Sequence, residues 1–292
     1  MLKINGIETF EGCHAALGRF DGLHKGHTSV IESVSNEKKV LLSIDKSKSD
    51  ARLMTRDEWL SQLESMGVCS VMEPDFEDIK DMSPEEFVRD VLYNGIKVKS
   101  VACGYNFRFG KNACADADEL KKLCNRYGIE CAVVPKAMCE GEEISSTAIR
   151  RYLREGNAEQ AEKMLGRPFG WKLVVERGQS LGRTLGAPTI NQYFPKELMM
   201  PKFGVYASVT QLGSQLKYSV TNVGIRPTVG TDRPLSETWI PEFSGDLYGQ
   251  TIEVRLLSYL RSEQKFDSIE NLRAAIHHDG ECSQKIYDSR KQ

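Results

Sequence analysis

The feature that most constrains this chain is a change of hydrophobic period near its middle. Before about residue 165, short apolar runs alternate with stretches whose apolar residues recur every three or four positions; beyond residue 171, helical spacing is absent until Ser268. In the first part, residues 15–17, 40–44, 68–72, 98–103 and 130–134 read as strands, and 27–35, 56–66, 83–92 and 119–127 read as helices between them. Ser83-Pro84 has the pattern of an N-cap followed by proline at the first helical position. Such alternation predicts a parallel sheet covered by helices on both faces. In the second part, residues 171–176, 204–209, 218–220 and 252–257 predict antiparallel strands of a small barrel or sandwich, closed by a helix from Ser268 to about Tyr287. Residues 146–165 are helical in pattern, with Gly156-Asn157 ending one helix and capping the next, and Gly166-Arg167-Pro168 stopping it. The expected domains are therefore 1–156 and 170–292, joined by a linker helix and hinge at 157–169. A length of 292 residues accommodates two such domains.

Composition excludes several partners. Thirty-nine basic against 41 acidic side chains give a net charge of -2, which argues against a dedicated nucleic-acid or membrane-surface module. The N-terminus carries charges where a signal peptide needs an apolar core, and no run reaches the roughly 18 apolar residues of a membrane span, so a cytoplasmic protein is expected. Its eight cysteines include no Cys-x-x-Cys pair; reduced thiols are expected rather than disulfides or zinc. Nothing in the sequence fixes an oligomeric state.

Residues Gly18 to His27 (GRFDGLHKGH) lie between the first strand and the first helix. Gly18, Gly22 and Gly26 let the backbone approach a ligand, and the helix that follows offers unpaired N–H groups to phosphate. His24 and His27, three residues apart, can donate to one anion; Phe20 and Asp21 complete the loop. The plain alternative is a glycine-rich turn with two solvated histidines. In Ile144 to Arg150 (ISSTAIR), Ser145, Ser146 and Thr147 precede a helix, and Arg150 sits one turn inside it. These groups suit phosphate oxygens and a departing pyrophosphate, although the same pattern alone is often only an N-cap. Gly178, Gly182, Arg183 and Gly186 form a second glycine cluster suited to a nucleotide. After it, extended Thr189 and Asn191 point the same way and can present oxygens to Mg²⁺. Taken alone, this stretch also fits a hairpin with turn glycines.

These motifs resemble those of the bacterial bifunctional riboflavin kinase/FAD synthetases over nearly the full chain. The family pattern G-x-F-D-G-x-H-x-G-H is met by Gly18 to His27, I-S-S-T-x-I-R by Ile144 to Arg150, and G-x-x-x-G-R-x-L-G-x-P-T-x-N by Gly178 to Asn191. Further agreement lies in 204–206, 222–228, 245–249 and 261–266. The resemblance implies an α/β Rossmann-like HxGH nucleotidyltransferase domain that makes FAD from FMN and ATP. A small antiparallel β-barrel that makes FMN from riboflavin and ATP, with a C-terminal helix, would follow it. It implies a catalytic base at Glu237, phosphate chemistry at His24, His27 and Arg150, and flavin contacts at Asn106, Phe107, Arg108 and Arg261. Two departures stand out: residues 43–48 (SIDKSK) lack the family's Pro-His-Pro, and Asn106 replaces an Asp. They predict slower adenylyl transfer, and leave as a second reading a kinase whose first domain is weak or only binds nucleotide.

Overall fold

The computed structural model describes residues 3–5, 9–44, 51–177, 186–228 and 231–291. Two units emerge, one from the described residues of 1–50 and 56–145, the other from those of 51–55 and 146–292. The first runs β1 (Lys3–Asn5), β2 (Cys13–Gly18), α1 (Lys25–Glu32), β3 (Lys39–Ser43), α2 (Arg56–Ser65), β4 (Ser70–Met72) and α3 (Phe76–Ile79). It continues with α4, which opens at Pro84–Glu86 and runs on in wider π-helical turns over Phe87–Ile96. Then come β5 (Val98–Gly104), α5 (Ala117–Arg126), β6 (Glu130–Val134) and the hairpin of β7 (Met138–Cys139) and β8 (Glu142–Glu143).

The six-stranded sheet has the order β1-β4-β3-β2-β5-β6, and all its pairings are parallel. β3 is buried along its whole length and β2 along all but Gly18, as expected where helices cover both faces of a parallel sheet. Around them the core gathers Val91, Leu92, Val101, Leu120 and the thiols of Cys13, Cys103 and Cys124. Local signals set the helix starts. Ser83 and Glu86 form a capping box, with Ser83 Oγ accepting from Glu86 N at 3.2 Å and Glu86 Oε2 accepting from Ser83 N at 2.8 Å. Strand order reverses at β2, which has β3 on one side and β5 on the other, so the chain leaves this point in opposite directions and opens a crevice above the strand ends.

The second unit holds α6 (Ser146–Glu155), α7 (Ala158–Leu165), β9 (Gly170–Val174), β10 (Thr189–Tyr193), β11 (Gly204–Leu212), β12 (Gln215–Thr228), β13 (Thr231–Trp239), β14 (Thr251–Arg261) and α8 (Ile269–Ser289). As the sequence suggested, Asn157 caps α7 by accepting from Gln160 N, and Gly166 ends it at φ 81°. The antiparallel order is β10-β13-β12-β11-β14-β9. An isolated bridge from Glu176 to Asn191 then brings the two edges together, leaving a nearly closed barrel. Gln192 staples the gap: its amide donates to Leu173 O at 2.7 Å and Ile252 O at 2.8 Å, and its Oε1 accepts from Trp171 Nε1 at 3.0 Å. α8 lies on the outside, where Gly280 admits the Trp239 ring to 2.8 Å of where a Cβ would stand.

Two expectations need adjustment. The helix expected from His27 begins at Lys25, because His24 caps it through its ring nitrogen. β13 carried no recognisable strand period of its own and enters only as the strand pairing β10 with β12.

Candidate active sites

In the first unit, the loop after β2 is a strained turn. Phe20, Gly22 and Leu23 have φ of 51°, 80° and 43°, left-handed values that cost a non-glycine residue energy and collect at functional sites. The Trp59 indole holds the turn by donating to Phe20 O at 2.9 Å. His24 Nδ1 accepts from His27 N at 3.3 Å, and the two imidazoles stack with centroids 3.6 Å apart. Gly26 gives this stacking room, since a Cβ there would stand 3.3 Å from the His24 ring and press it aside by a few tenths of an ångström. Burial, then the nearby His24 and Arg19, push the His27 pKa well below its ordinary value, so the ring is neutral at pH 7. Its Nδ1 is buried with no hydrogen-bond partner among the described residues. A neutral imidazole at a helix N-terminus presents a donor to an anion without a fixed charge of its own.

The loop after β5 makes a tight turn, with Phe107 N donating to Gly104 O at 3.0 Å. Phe107 packs into the core against Phe109, whereas Asn106 and Arg108 are exposed and Arg108 pairs with Asp116 at 3.8 Å. Of the serine-rich motif, Ser145 falls in the first unit and Ser146, Thr147 and Arg150 in the second. There Arg150 is buried and donates through Nε to Ala51 O at 3.1 Å.

In the second unit, strand register assembles the site. Glu237 on β13 is the direct partner of Asn191 on β10 and of Asn222 on β12, so the three side chains form one row across three strands. Thr189 stands two residues from Asn191 on the same face. Two cavities meet at this strand. One, of about 730 Å³, is lined by Thr189, Asn222, Glu237, Arg261 and Glu263, by the segment 264–268, and by barrel and α8 residues such as Trp239 and Leu272. The other, of about 340 Å³, is lined by Thr189, Asn191 and the 243–248 loop. Thr189 faces both. Asn191 is 4% exposed, and its Oδ1 has no hydrogen-bond partner among the described residues. A buried amide oxygen left unpaired is costly, and a hard cation satisfies it. The donor set of Thr189 and Asn191 therefore fits Mg²⁺.

Arg261 lines the larger cavity, held by the buried Asp279 of α8 through Nε at 3.2 and 3.1 Å and Nη2 at 2.7 Å. Asp279, Asn222 and Glu263 were not singled out from the sequence, because their partners lie far away along the chain. Gly178, Gly182 and Arg183 lie outside the described residues; Gly186 has φ 77°.

Comparison with known proteins adds identities of the matching kind. The FAD synthetase family model matches residues 7–148, and the riboflavin kinase family model matches residues 165–287. A bifunctional riboflavin kinase/FMN adenylyltransferase of Escherichia coli (strain K12) is 35% identical over 92% of this chain and 91% of its own. The protein of the same description from Haemophilus influenzae is 30% identical over 98% and 97%. A crystal structure from Streptococcus pneumoniae, titled a macrolide-efflux protein, superimposes with a TM-score of 0.87 at 26% identity, covering 97% of this chain and 99% of that one. Among the described residues no helix is long and apolar enough to cross a membrane.

Proposed function

Since the chain belongs to the family of bifunctional riboflavin kinases/FMN adenylyltransferases, we propose that its two units divide the two reactions between them. The enzyme phosphorylates riboflavin to FMN with ATP, and adenylylates FMN to FAD with release of pyrophosphate. In our reading the kinase occupies the barrel and the adenylyltransferase the parallel sheet.

The kinase must deprotonate the primary hydroxyl at the end of the ribityl chain as its oxygen attacks the γ-phosphorus of ATP. Glu237 accepts that proton, and the bond from the γ-phosphorus to the bridging oxygen breaks to release ADP. The larger cavity takes riboflavin, with Arg261 beside it, and the smaller takes ATP. Thr189 and Asn191 would hold Mg²⁺, which supplies neutralisation of phosphate charge when bound. The observation that carries this assignment is the position of Thr189 at the meeting of the larger cavity, which Glu237 also lines, with a second, smaller one.

The adenylyltransferase needs no base, because FMN phosphate is already ionised at pH 7. Its oxygen attacks the α-phosphorus of ATP, and pyrophosphate leaves. His24 and His27 donate to phosphate oxygens, and Gly18 to Gly26 cradle the nucleotide; the sequence motif assigns Ser145, Ser146, Thr147 and Arg150 to the same reaction. FMN lies against Asn106, Phe107 and Arg108. Both reactions draw on ATP, which supports a cytoplasmic enzyme. The test is chromatography of flavins from riboflavin and Mg-ATP: FMN and then FAD are expected, and absence of either product removes the corresponding half of the assignment.

A further inference from the structure

Glu263, one of four carboxylates that line the larger cavity, is left without a role by the reaction as described. Glu263 follows β14, and its Oε1 accepts from Asn222 Nδ2 at 3.0 Å. The carboxylate lies directly on β12 at Gly224: a Cβ on Gly224 would stand 2.5 Å from Glu263 Oε1. Gly224 is not in a left-handed conformation, so its backbone does not require glycine. What it provides is room for this carboxylate. Asn222 is also the cross-strand partner of Glu237, and its own Oδ1 is buried without a hydrogen-bond partner among the described residues. Beside the base, the cavity is therefore lined by Asn222 and by the Glu263 carboxylate that Asn222 holds, an acceptor, together with the apolar residues Val205, Val220 and Leu272.

Acceptors in a cavity call for donors on the ligand. Phosphate offers none and would be repelled by Glu263. The isoalloxazine ring offers a single N–H between two carbonyls. Beyond the methylene bound to the ring, the ribityl chain offers hydroxyls on three successive carbons before the reacting end. We propose that Asn222 and Glu263, seated on Gly224, read the secondary hydroxyls of the ribityl chain and so set the preference of the kinase for a polyol side chain. This rests on the assignment of the kinase to the barrel. Glu263 and Asn222 hold the chain extended, so that its last oxygen reaches Glu237 while the ring packs against the apolar residues.

Two substitutions attack the feature by independent routes. Glu263→Leu removes the acceptor; Gly224→Ala leaves every polar group in place and pushes the carboxylate aside. The full-length enzyme is assayed with riboflavin and with a flavin whose ring nitrogen carries a 5-hydroxypentyl chain, which keeps the reacting hydroxyl and lacks the secondary ones. The parent should favour riboflavin strongly in kcat/KM. Both variants should raise the KM for riboflavin about 10- to 100-fold, the range for charge-assisted hydrogen bonds lost at a buried site. The KM for ATP should hold within about twofold, as should kcat/KM for the hydroxypentyl flavin. The double variant should be no worse than the single ones, since both remove one interaction. Equal losses on both flavins, or parent-like preference in a folded Gly224→Ala enzyme, would overturn the proposal. A parent enzyme that makes no FMN would instead remove the kinase assignment beneath it.

Discussion

The two sites are built by opposite means. In the parallel-sheet unit, the proposed site rests on the backbone: a turn with Phe20, Gly22 and Leu23 in left-handed conformations, pinned by Trp59, leads into a helix N-terminus that carries two stacked imidazoles. In the barrel, strands in ordinary extended pairing carry a row of side chains, Asn191, Glu237 and Asn222, whose chemistry differs while their backbone does not. The difference follows from the reactions. A nucleophile that is already an anion needs positioning and donors, which backbone supplies; a hydroxyl needs a base, which only a side chain supplies. The first site should therefore break when its backbone is disturbed, and the second when a functional group is changed.

The largest effect belongs to Glu237→Gln, which keeps shape and removes the base. FMN formation should fall about 10²- to 10⁴-fold, while FAD formation from supplied FMN stays at the parent rate. FMN formation at the parent rate would end the role given to Glu237. In the other unit a methyl group should suffice. Gly26→Ala places a Cβ 3.3 Å from the His24 ring, which must give by a few tenths of an ångström. It should slow FAD formation by less than the roughly 10²-fold that a displacement of about 1 Å costs, without touching FMN formation. Initial rates for the two steps, measured separately, check this.

A further effect sharpens the comparison from the native side. Asn106, exposed after β5, lacks the charge of the family's Asp. FAD formation should lag FMN formation, and Asn106→Asp should speed it by roughly 10- to 150-fold, the value of one charge-assisted contact of about 1.5–3 kcal/mol made in the transition state. A time course in which no FMN accumulates would show the departure to be harmless. The mildest effect concerns stability. His27 is neutral when folded, with a pKa held below 6.5, so protons bind the unfolded chain preferentially as pH falls below 6.5. Stability should decline by up to about 1.4 kcal/mol per pH unit from there down to the folded pKa, and not change above pH 6.5 on this account. Thermal melts between pH 7 and 5 should show a shallower decline for His27→Asn.

Much of this was legible in the sequence, and what was not has physical reasons. The caps at Ser83, Asn157 and Gly166, the strand-helix alternation, and the pairing of Thr189 with Asn191 all rest on local rules, and local rules hold in both units. β13 was hidden because the barrel interior is lined with hydroxyls. Thr238 and Thr221 bond at 2.9 Å, Ser208 bonds Thr221 and Ser219 at 2.8 Å each, and all are fully buried or nearly so. A strand that buries Ser236 and Thr238 looks solvated to any reading based on hydrophobicity. Glu263 was hidden differently, since it meets Asn222 across 41 residues of sequence and no local pattern connects them. The helices α6 and α7 carried no mark of the unit they would join.

The central claim is that two independent sites act in succession, and complementation between variants tests it most directly. His24→Asn keeps an N-cap acceptor while losing the imidazole, so this enzyme should convert riboflavin to FMN and stop. Glu237→Gln should leave riboflavin unconverted and yet make FAD from supplied FMN. Mixed in one tube with riboflavin and Mg-ATP, the two variants should yield FAD, because FMN released by the first is adenylylated by the second. A mixture that makes no more FAD than either variant alone would contradict the division of the two reactions between the two units.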